Sequence, residues 1–175
     1  MKSVGYCGGL RRNDIMRAMT FEDVVAILER TFKLELKVVE GTTVFEVASE
    51  DGGTKVKVLM QNVGEHNKVL LSADLCEPPQ GGSKALFRTM LEANNLFGGT
   101  AGATLALDSA SGCCRLQKYE PSDEFANDPA NRLETFIETA LNWSRMIADH
   151  RPEHADEDFD PGEMRSVGAF TMVQV

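Results

Sequence analysis

The chain has 175 residues, of which 42% are hydrophobic and 26% charged, so it can form one folded domain and is too apolar to be disordered throughout. Its 27 acidic and 18 basic residues give a formal net charge of -9, which argues against nucleic acid as a partner. It has no apolar run long enough to span a bilayer, and its first residues lack a signal-peptide core, so we expect a cytoplasmic protein without membrane insertion.

The first part of the chain divides into an arm and a helix. Residues 1–19 are rich in glycine and predict an N-terminal arm. Thr20 followed by Asp23 is a variant of the capping box, which predicts a helix over about 21 to 33. The apolar residues at helical spacing are Phe21, Val24, Val25, Leu28 and Phe32.

Four short stretches with partial alternation and many β-branched residues come next. They predict strands at 34–38, 43–47, 55–60 and 69–75. The residues between them have turn chemistry, so successive strands should be antiparallel neighbours in a meander. One face of this sheet should meet a core and the other should meet solvent or a bound guest.

The second half predicts two more helices and a hairpin. Helical spacing from Leu86 to Phe97 indicates the second helix, and strands at 104–107 and 114–119 flank a five-residue connection. A long amphipathic pattern following Pro129 predicts the third helix. We therefore expect a domain over 20–149.

The order helix, four strands, helix, two strands, helix predicts an α+β fold, with three helices beside a mostly antiparallel twisted sheet. After His150 the chain becomes acidic and contains two prolines, so residues 150–175 are interpreted as an acidic C-terminal tail.

Few residues suggest catalysis. The glycine-rich loop at residues 98–104 could approach an anion, but it leaves a helix and enters a strand, the reverse of a phosphate-binding loop. His150 and His154 are four residues apart, yet Pro152 between them would interrupt a helix that presents both. His66 lies in a turn-like stretch without catalytic spacing. We expect no enzyme activity, no metal and no cofactor.

The cysteines indicate a reducing compartment. Cys7, Cys76, Cys113 and Cys114 form neither a CxxC pair nor a regular framework. Cys113 and Cys114 are neighbours in a predicted strand and should point to opposite faces, so a disulfide between them would distort the backbone. Reduced thiols in the cytoplasm fit this pattern best.

One stretch resembles a known family. Met90 to Leu96 reads MLEANNL, Gly98-Gly99-Thr100 follows, and residues 102–108 read GATLALD. A helix ending in Leu-Glu-Ala-Asn-Leu, a glycine-rich link and a strand closing on Leu-Asp are similar to the Tir-chaperone family of class I type III secretion chaperones. The resemblance extends over residues 20 to about 149, and the long arm, the acidic tail and the final residues depart from it.

The resemblance implies a homodimer whose apolar grooves bind an extended segment near the N-terminus of a secreted effector. Helix one and the sheet have more apolar side chains than one thin core must bury, so some should face this partner. The expected partner-binding residues are Phe21, Val25, Leu28, Phe32, Phe45, Val47, Val58 and Met60. The expected dimer-interface residues are Phe87, Met90, Leu91, Asn94, Phe97 and Leu105.

Two other functions stay open at this point. The first is a small-ligand or enzymatic α+β domain that uses the loop at residues 98–104, with His66 nearby. The second is a regulatory adaptor that binds another secretion component through its acidic tail.

Overall fold

A computed structural model describes residues 19–64, 68–78, 84–150 and 170–174, and within these ranges the chain is an α+β fold with a six-stranded sheet. The helices are α1 (Phe21–Phe32), α2 (Lys84–Asn94), a 3-10 helix (Asn95–Phe97), α3 (Ser122–Asn127) and α4 (Pro129–Asp149). The strands are β1 (Thr42–Ser49), β2 (Lys55–Val63), β3 (Lys68–Asp74), β4 (Thr104–Leu107), β5 (Cys114–Pro121) and β6 (Phe170–Gln174). Their order is β4-β5-β3-β2-β1-β6, and each neighbouring pair is antiparallel. The predicted fold class is confirmed.

The core lies between one face of the sheet and the helices. Buried and half-buried side chains alternate along β1, as expected for a strand with one covered face. Helix α4 packs against β1, β2 and β3, and α1 packs on α4. The largest fully buried side chains include Trp143, Phe45 and Phe125. Within the described ranges, no helix combines the length and hydrophobicity that a bilayer span requires.

Helix α1 begins as its sequence predicts. The Thr20 hydroxyl accepts a hydrogen bond from the backbone N–H of Asp23 at 3.2 Å, and the Asp23 carboxylate accepts one from the backbone N–H of Thr20 at 2.9 Å. This reciprocal capping box satisfies two backbone donors at the helix start. After Phe32, Lys33 adopts the left-handed conformation with φ 55° and ends the helix.

The predicted strand at residues 34–38 does not form. The backbone N–H of Leu36 donates to Glu29 Oε1 at 2.8 Å, and the Leu36 side chain is buried. The chain turns at Lys33, and the backbone N–H of Leu36 is then bound by the Glu29 side chain of α1. This N–H is therefore not available to a neighbouring strand. Its alternating apolar residues contact the core without joining the sheet, which explains why the prediction was wrong.

The sixth strand comes from the end of the chain. β6 pairs with β1 from Phe45 opposite Gln174 to Ser49 opposite Phe170. The sequence predicts an acidic tail over 150–175, of which residues 151–169 lie outside the described ranges. The last described residues instead extend the sheet, because their apolar and β-branched side chains suit a strand.

A buried ion cluster joins β5 to α4. Glu120 is 2% exposed, and its carboxylate pairs with Lys118 Nζ at 2.7 Å and with Arg132 Nη1. Burial raises the pKa of Glu120, but the hydrogen bonds and charges of Lys118 and Arg132 outweigh it, so the pKa lies below its ordinary value of 4.5. The carboxylate is therefore charged at neutral pH.

Helix α3, which the sequence does not predict, buries Phe125 between β5 and α4.

Candidate protein-interaction surfaces

Most of the residues predicted to bind a partner lie in the core. Seven of the eight are at most 5% exposed in the folded chain, and Phe32 is half-buried. The seven are Phe21, Val25, Leu28, Phe45, Val47, Val58 and Met60. Alternation identifies the apolar face of a strand, and that face is the one that packs against the helices. These seven side chains therefore do not form the open grooves that the sequence predicts.

The opposite face of the sheet is uncovered by any described element and contains a depression lined by three apolar and six polar or charged residues. Val44 lies opposite Leu59 across β1 and β2, and Leu70 of β3 lies opposite Gln61, two residues along β2 from Leu59. All three apolar side chains are half-buried. The depression has a volume of about 310 Å³. Its lining residues are Val44, Lys57, Leu59, Gln61, Leu70, Ser72, Asp74, Arg115 and Gln117. We call it the outer-face depression.

Ion pairs lie along one side of this depression. Arg115 Nε contacts Asp74 Oδ1 at 2.7 Å across β5 and β3, and Lys55 Nζ contacts Glu46 Oε1 at 3.3 Å across β2 and β1. An apolar centre with a polar, solvent-accessible rim is the usual composition of a protein-binding surface. Because Arg115 and Asp74 already pair with each other, the apolar centre is the part best suited to gain from contact with a partner.

Exposed apolar side chains also occur on α2, on the 3-10 helix that follows it and on β4. Of the predicted dimer-interface residues, Leu91 is 70% exposed and Phe97 is 52% exposed. Leu96, in the 3-10 helix, is 89% exposed, and Leu107, at the end of β4, is 50% exposed. The sequence does not predict either of them as an interface residue. We call these four residues the α2–β4 surface. Exposed side chains of this size are a candidate contact with another protein.

The backbone holds part of this surface in an unusual conformation. Leu96 and Phe97 both have positive φ angles, 55° and 57°. Such angles are rare for bulky residues and persist only where the surrounding structure imposes them. Here they follow the end of α2 directly, and both side chains are left exposed to solvent.

The other predicted interface residues have different positions. Met90 and Leu105 are buried at 4% and 5% exposure, and Phe87 is half-buried against the core. Asn94 is half-buried and binds the backbone of β4: its Nδ2 donates to Leu105 O at 3.0 Å, and its Oδ1 accepts from Leu105 N–H at 2.8 Å. Its amide thus fixes the glycine-rich link and the start of β4 to α2.

Replacing Asn94 with alanine should destabilise the chain by about 1–3 kcal/mol, because two backbone groups of Leu105 lose their partner. Urea unfolding followed by circular dichroism measures this difference. Asn95 is adjacent and exposed, so Asn95→Ala is the matched control and should change stability by less than about 0.5 kcal/mol. Equal stability of the two variants would contradict a positioning role for Asn94.

The loop at residues 98–104 uses its polar groups internally. Trp143 Nε1 donates to Gly99 O at 2.8 Å, and the Thr100 hydroxyl donates to Ala103 O at 2.6 Å. Thr100 is fully buried. A loop whose groups pack against α4 and itself does not present an open cradle to an anion, so the structure does not favour the ligand-binding alternative.

Among the reactive groups that the sequence raised, Cys76 and Cys114 lie side by side: the backbone N–H of Cys114 donates to Cys76 O at 2.9 Å. His66 lies outside the described residues. Burial raises the pKa of the Cys114 thiol to about 11, so this thiol is protonated at neutral pH and is a poor nucleophile. Cys76 and Cys113 are free thiols as well. Across the described ranges, no cluster of three or more His, Cys, Asp or Glu side chains could hold a metal ion.

The fold is shared with chains of two solved complexes. A chain of "Crystal Structure of the ExsC-ExsE Complex" aligns with a TM-score of 0.58 and 17% identity, covering 71% of this chain and 90% of that one. A chain of "Structure of the HopA1-SchA Chaperone-Effector Complex" aligns with a TM-score of 0.56 and 17% identity, covering 74% and 94%. This chain therefore shares its fold with one chain of each of these two complexes.

The sequence gives the family independently of the fold. The model of the Tir chaperone protein (CesT) family matches residues 40–147, which is more than half of the chain. The chain belongs to this family, as the motif between α2 and β4 indicates. The match includes β1 to β5 and most of α4, while α1 and β6 lie outside it. Among curated protein sequences, no significant match was found.

Proposed function

We propose that this chain is a non-enzymatic cytoplasmic chaperone that, as a homodimer, binds an extended N-terminal segment of a type III secreted effector and keeps it soluble and competent for secretion. The observation that carries the proposal is the uncovered sheet face with its outer-face depression, in a chain that belongs to a chaperone family. A solved complex with the same fold is described as a chaperone–effector complex, which supports the same class of partner.

The outer-face depression suits an extended segment rather than a folded domain. Val44 and Leu59 are paired across β1 and β2, and Leu70 lies diagonally from Leu59 on β3, so a chain laid over them could insert successive apolar side chains. These three side chains are half-buried, and a bound segment would complete their burial. The polar rim would fix the direction of the bound chain without supplying most of the affinity.

A homodimer is supported by the α2–β4 surface. Two-fold dimers use the same patch on both subunits, and an exposed apolar helix end beside an edge strand is well suited to pair with its own copy. Leu91, Leu96, Phe97 and Leu107 would provide the apolar contacts. Two copies would place two outer-face depressions on one particle, so one long effector segment could contact both.

The net charge of -9 fits a carrier of an aggregation-prone guest. Like charge between loaded complexes opposes their association, and it also disfavours binding to nucleic acid. Holding the guest needs no catalytic step, since preferential binding of the unfolded form lowers its free concentration by mass action.

Effector retention tests the proposal. The tagged full-length chain, purified from its host with the secretion system induced, should retain a type III secreted protein, identified by mass spectrometry and by loss of its secretion when the chaperone gene is deleted. Leu59→Glu with Leu70→Glu should weaken retention at least about tenfold, because two charges enter the apolar centre. Thr135→Glu, at an exposed position of α4 on the helical side, is the control for a carboxylate placed away from the depression.

A chain that is folded but retains no secreted protein would contradict the proposal. Unchanged retention by the Leu59→Glu and Leu70→Glu double variant would contradict the assignment of the outer-face depression.

A further inference from the structure

β6 is an addition to the family domain that occupies one edge of its sheet. It lies beyond residues 40–147, the part that matches the family, and it pairs along β1 through five residue pairs. Without β6, β1 would be the edge strand and would present a row of unpaired N–H and C=O groups. Such an edge readily accepts another strand.

One side chain anchors β6 to the core. Met172 is 9% exposed and lies opposite Val47, which is fully buried. Its neighbour Val173 is 59% exposed and lies opposite Glu46 on the outer face. A five-residue strand at the margin of the sheet, with one neighbouring strand and one described buried anchor, makes a limited contact. The same contact could be made by any extended segment with an apolar residue at the Met172 position.

We propose that β6 is a removable strand that occupies the edge of β1 until an extended segment of the client replaces it. The inference rests on the proposed function and adds to it a second contact site and its regulation. The partner chemistry is a strand-forming segment with an apolar side chain where Met172 lies, and with no requirement at the outward position of Val173. While β6 is paired, it blocks other strands from the edge of β1. Only a segment that binds more strongly than β6 can replace it.

The tether makes this competition effective. Because β6 belongs to the same chain as β1, its pairing is intramolecular, whereas a free segment must bind from solution. A free segment at micromolar concentration therefore loses to β6 if it offers only a strand. A client that also fills the outer-face depression gains a second contact, and it can displace β6.

The two edges of the sheet have separate roles in this arrangement. The opposite edge strand, β4, lies beside α2 and contributes Leu107 to the α2–β4 surface. If that edge is used for self-association, β1 is the edge left for a client. The release of β6 then changes the client site without changing the dimer.

The test uses the chain's own strand as the probe. A peptide of residues 168–175 is titrated by NMR, up to millimolar concentration, into three full-length proteins: wild type, Met172→Asp and Val173→Lys. Met172→Asp should bind the peptide with an apparent Kd at least about tenfold lower than that of wild type, because the charged side chain releases β6 and vacates the edge. Val173→Lys alters the outward position on the same strand and should behave as wild type. Shifts should centre on residues 42–49.

Equal peptide binding by the wild type and a folded Met172→Asp variant would overturn the inference. Hydrogen exchange on the wild type decides the case in which that variant does not fold: the amides of β6 should exchange through a local opening, much faster than those of β3. Amides of β6 as protected as those of β3 would also overturn it. Loss of effector retention with peptide binding intact would instead count against the proposed function alone.

Discussion

Leu91→Glu combined with Phe97→Glu is expected to convert the proposed dimer into a monomer, weakening self-association at least about 100-fold. Both side chains are largely exposed in the single chain, at 70% and 52%. In a two-fold interface each substitution occurs twice, so four carboxylates would enter one apolar contact. Size-exclusion chromatography with light scattering should give twice the 19.2 kDa chain mass for the wild type and a single chain mass for the variant.

A charge-matched control separates a contact effect from the change in net charge. Lys84→Glu lies on the same helix at an exposed position and shifts the net charge by the same two units as the double substitution. This variant should stay a dimer. A wild type that is monomeric at micromolar concentration would refute self-association through the α2–β4 surface, and so would a double variant that remains dimeric.

The double variant also distinguishes two ways in which retention of an effector could fail. If two outer-face depressions on one particle hold the same effector segment, the monomer should still bind but more weakly, because the avidity of the second site is lost. The Leu59→Glu and Leu70→Glu variant should instead remain a dimer with both sites damaged. Measuring mass and retention on both variants therefore assigns each surface its own role.

The periodicity of the sequence is sufficient to predict most of the fold. The helical spacing from Phe21 to Phe32 and the long pattern after Pro129 correspond to α1 and α4, and the hairpin of β4 and β5 lies where its turn predicts. These elements were predictable because each has one apolar face and clear end signals. The segment at 34–38 has the same alternation, but the backbone N–H of Leu36 binds the carboxylate of Glu29 on α1 instead of a neighbouring strand.

The site was harder to predict for a geometric reason. Adjacent positions on a helix differ by about 100°, so Met90 and Leu91 look alike in the sequence while one is buried and the other is exposed. On the sheet, the strongest apolar alternation marks the face that the helices cover. The weaker, mixed set of Val44, Leu59 and Leu70 marks the open face. A client-binding face must stay soluble when empty, so its signal in the sequence is faint.

Residues whose role depends on a distant backbone group were also not predictable. Asn94 is part of the motif that indicated the family, yet its bonds to Leu105 appear only once α2 and β4 lie side by side. β6 depends on a partner strand more than 100 residues away. The first contact joins two ends of the motif across a bend in the backbone, and the second is non-local, so neither follows from the periodicity of one element.

Trp143→Ala is expected to lower the free energy of unfolding by about 3–5 kcal/mol, a large fraction of the stability of a domain of this size. The Trp143 ring is fully buried, and its Nε1–H donates to Gly99 O at 2.8 Å. Alanine would remove both the packing and the hydrogen bond. Because the chain has a single tryptophan, unfolding in urea is followed by circular dichroism in all variants.

Trp143→Phe reduces the packing loss, since it keeps a buried aromatic ring while removing the donor to Gly99 and part of the indole. It should cost about 1–3 kcal/mol, while Asp149→Ala, at the exposed end of the same helix, should cost less than about 0.5 kcal/mol. The Gly99 carbonyl lies in the link between the α2–β4 surface and β4, so a loosened link should also weaken self-association of the folded Trp143→Phe variant. Equal stability of Trp143→Phe and the wild type would show that this hydrogen bond does not hold the link in place.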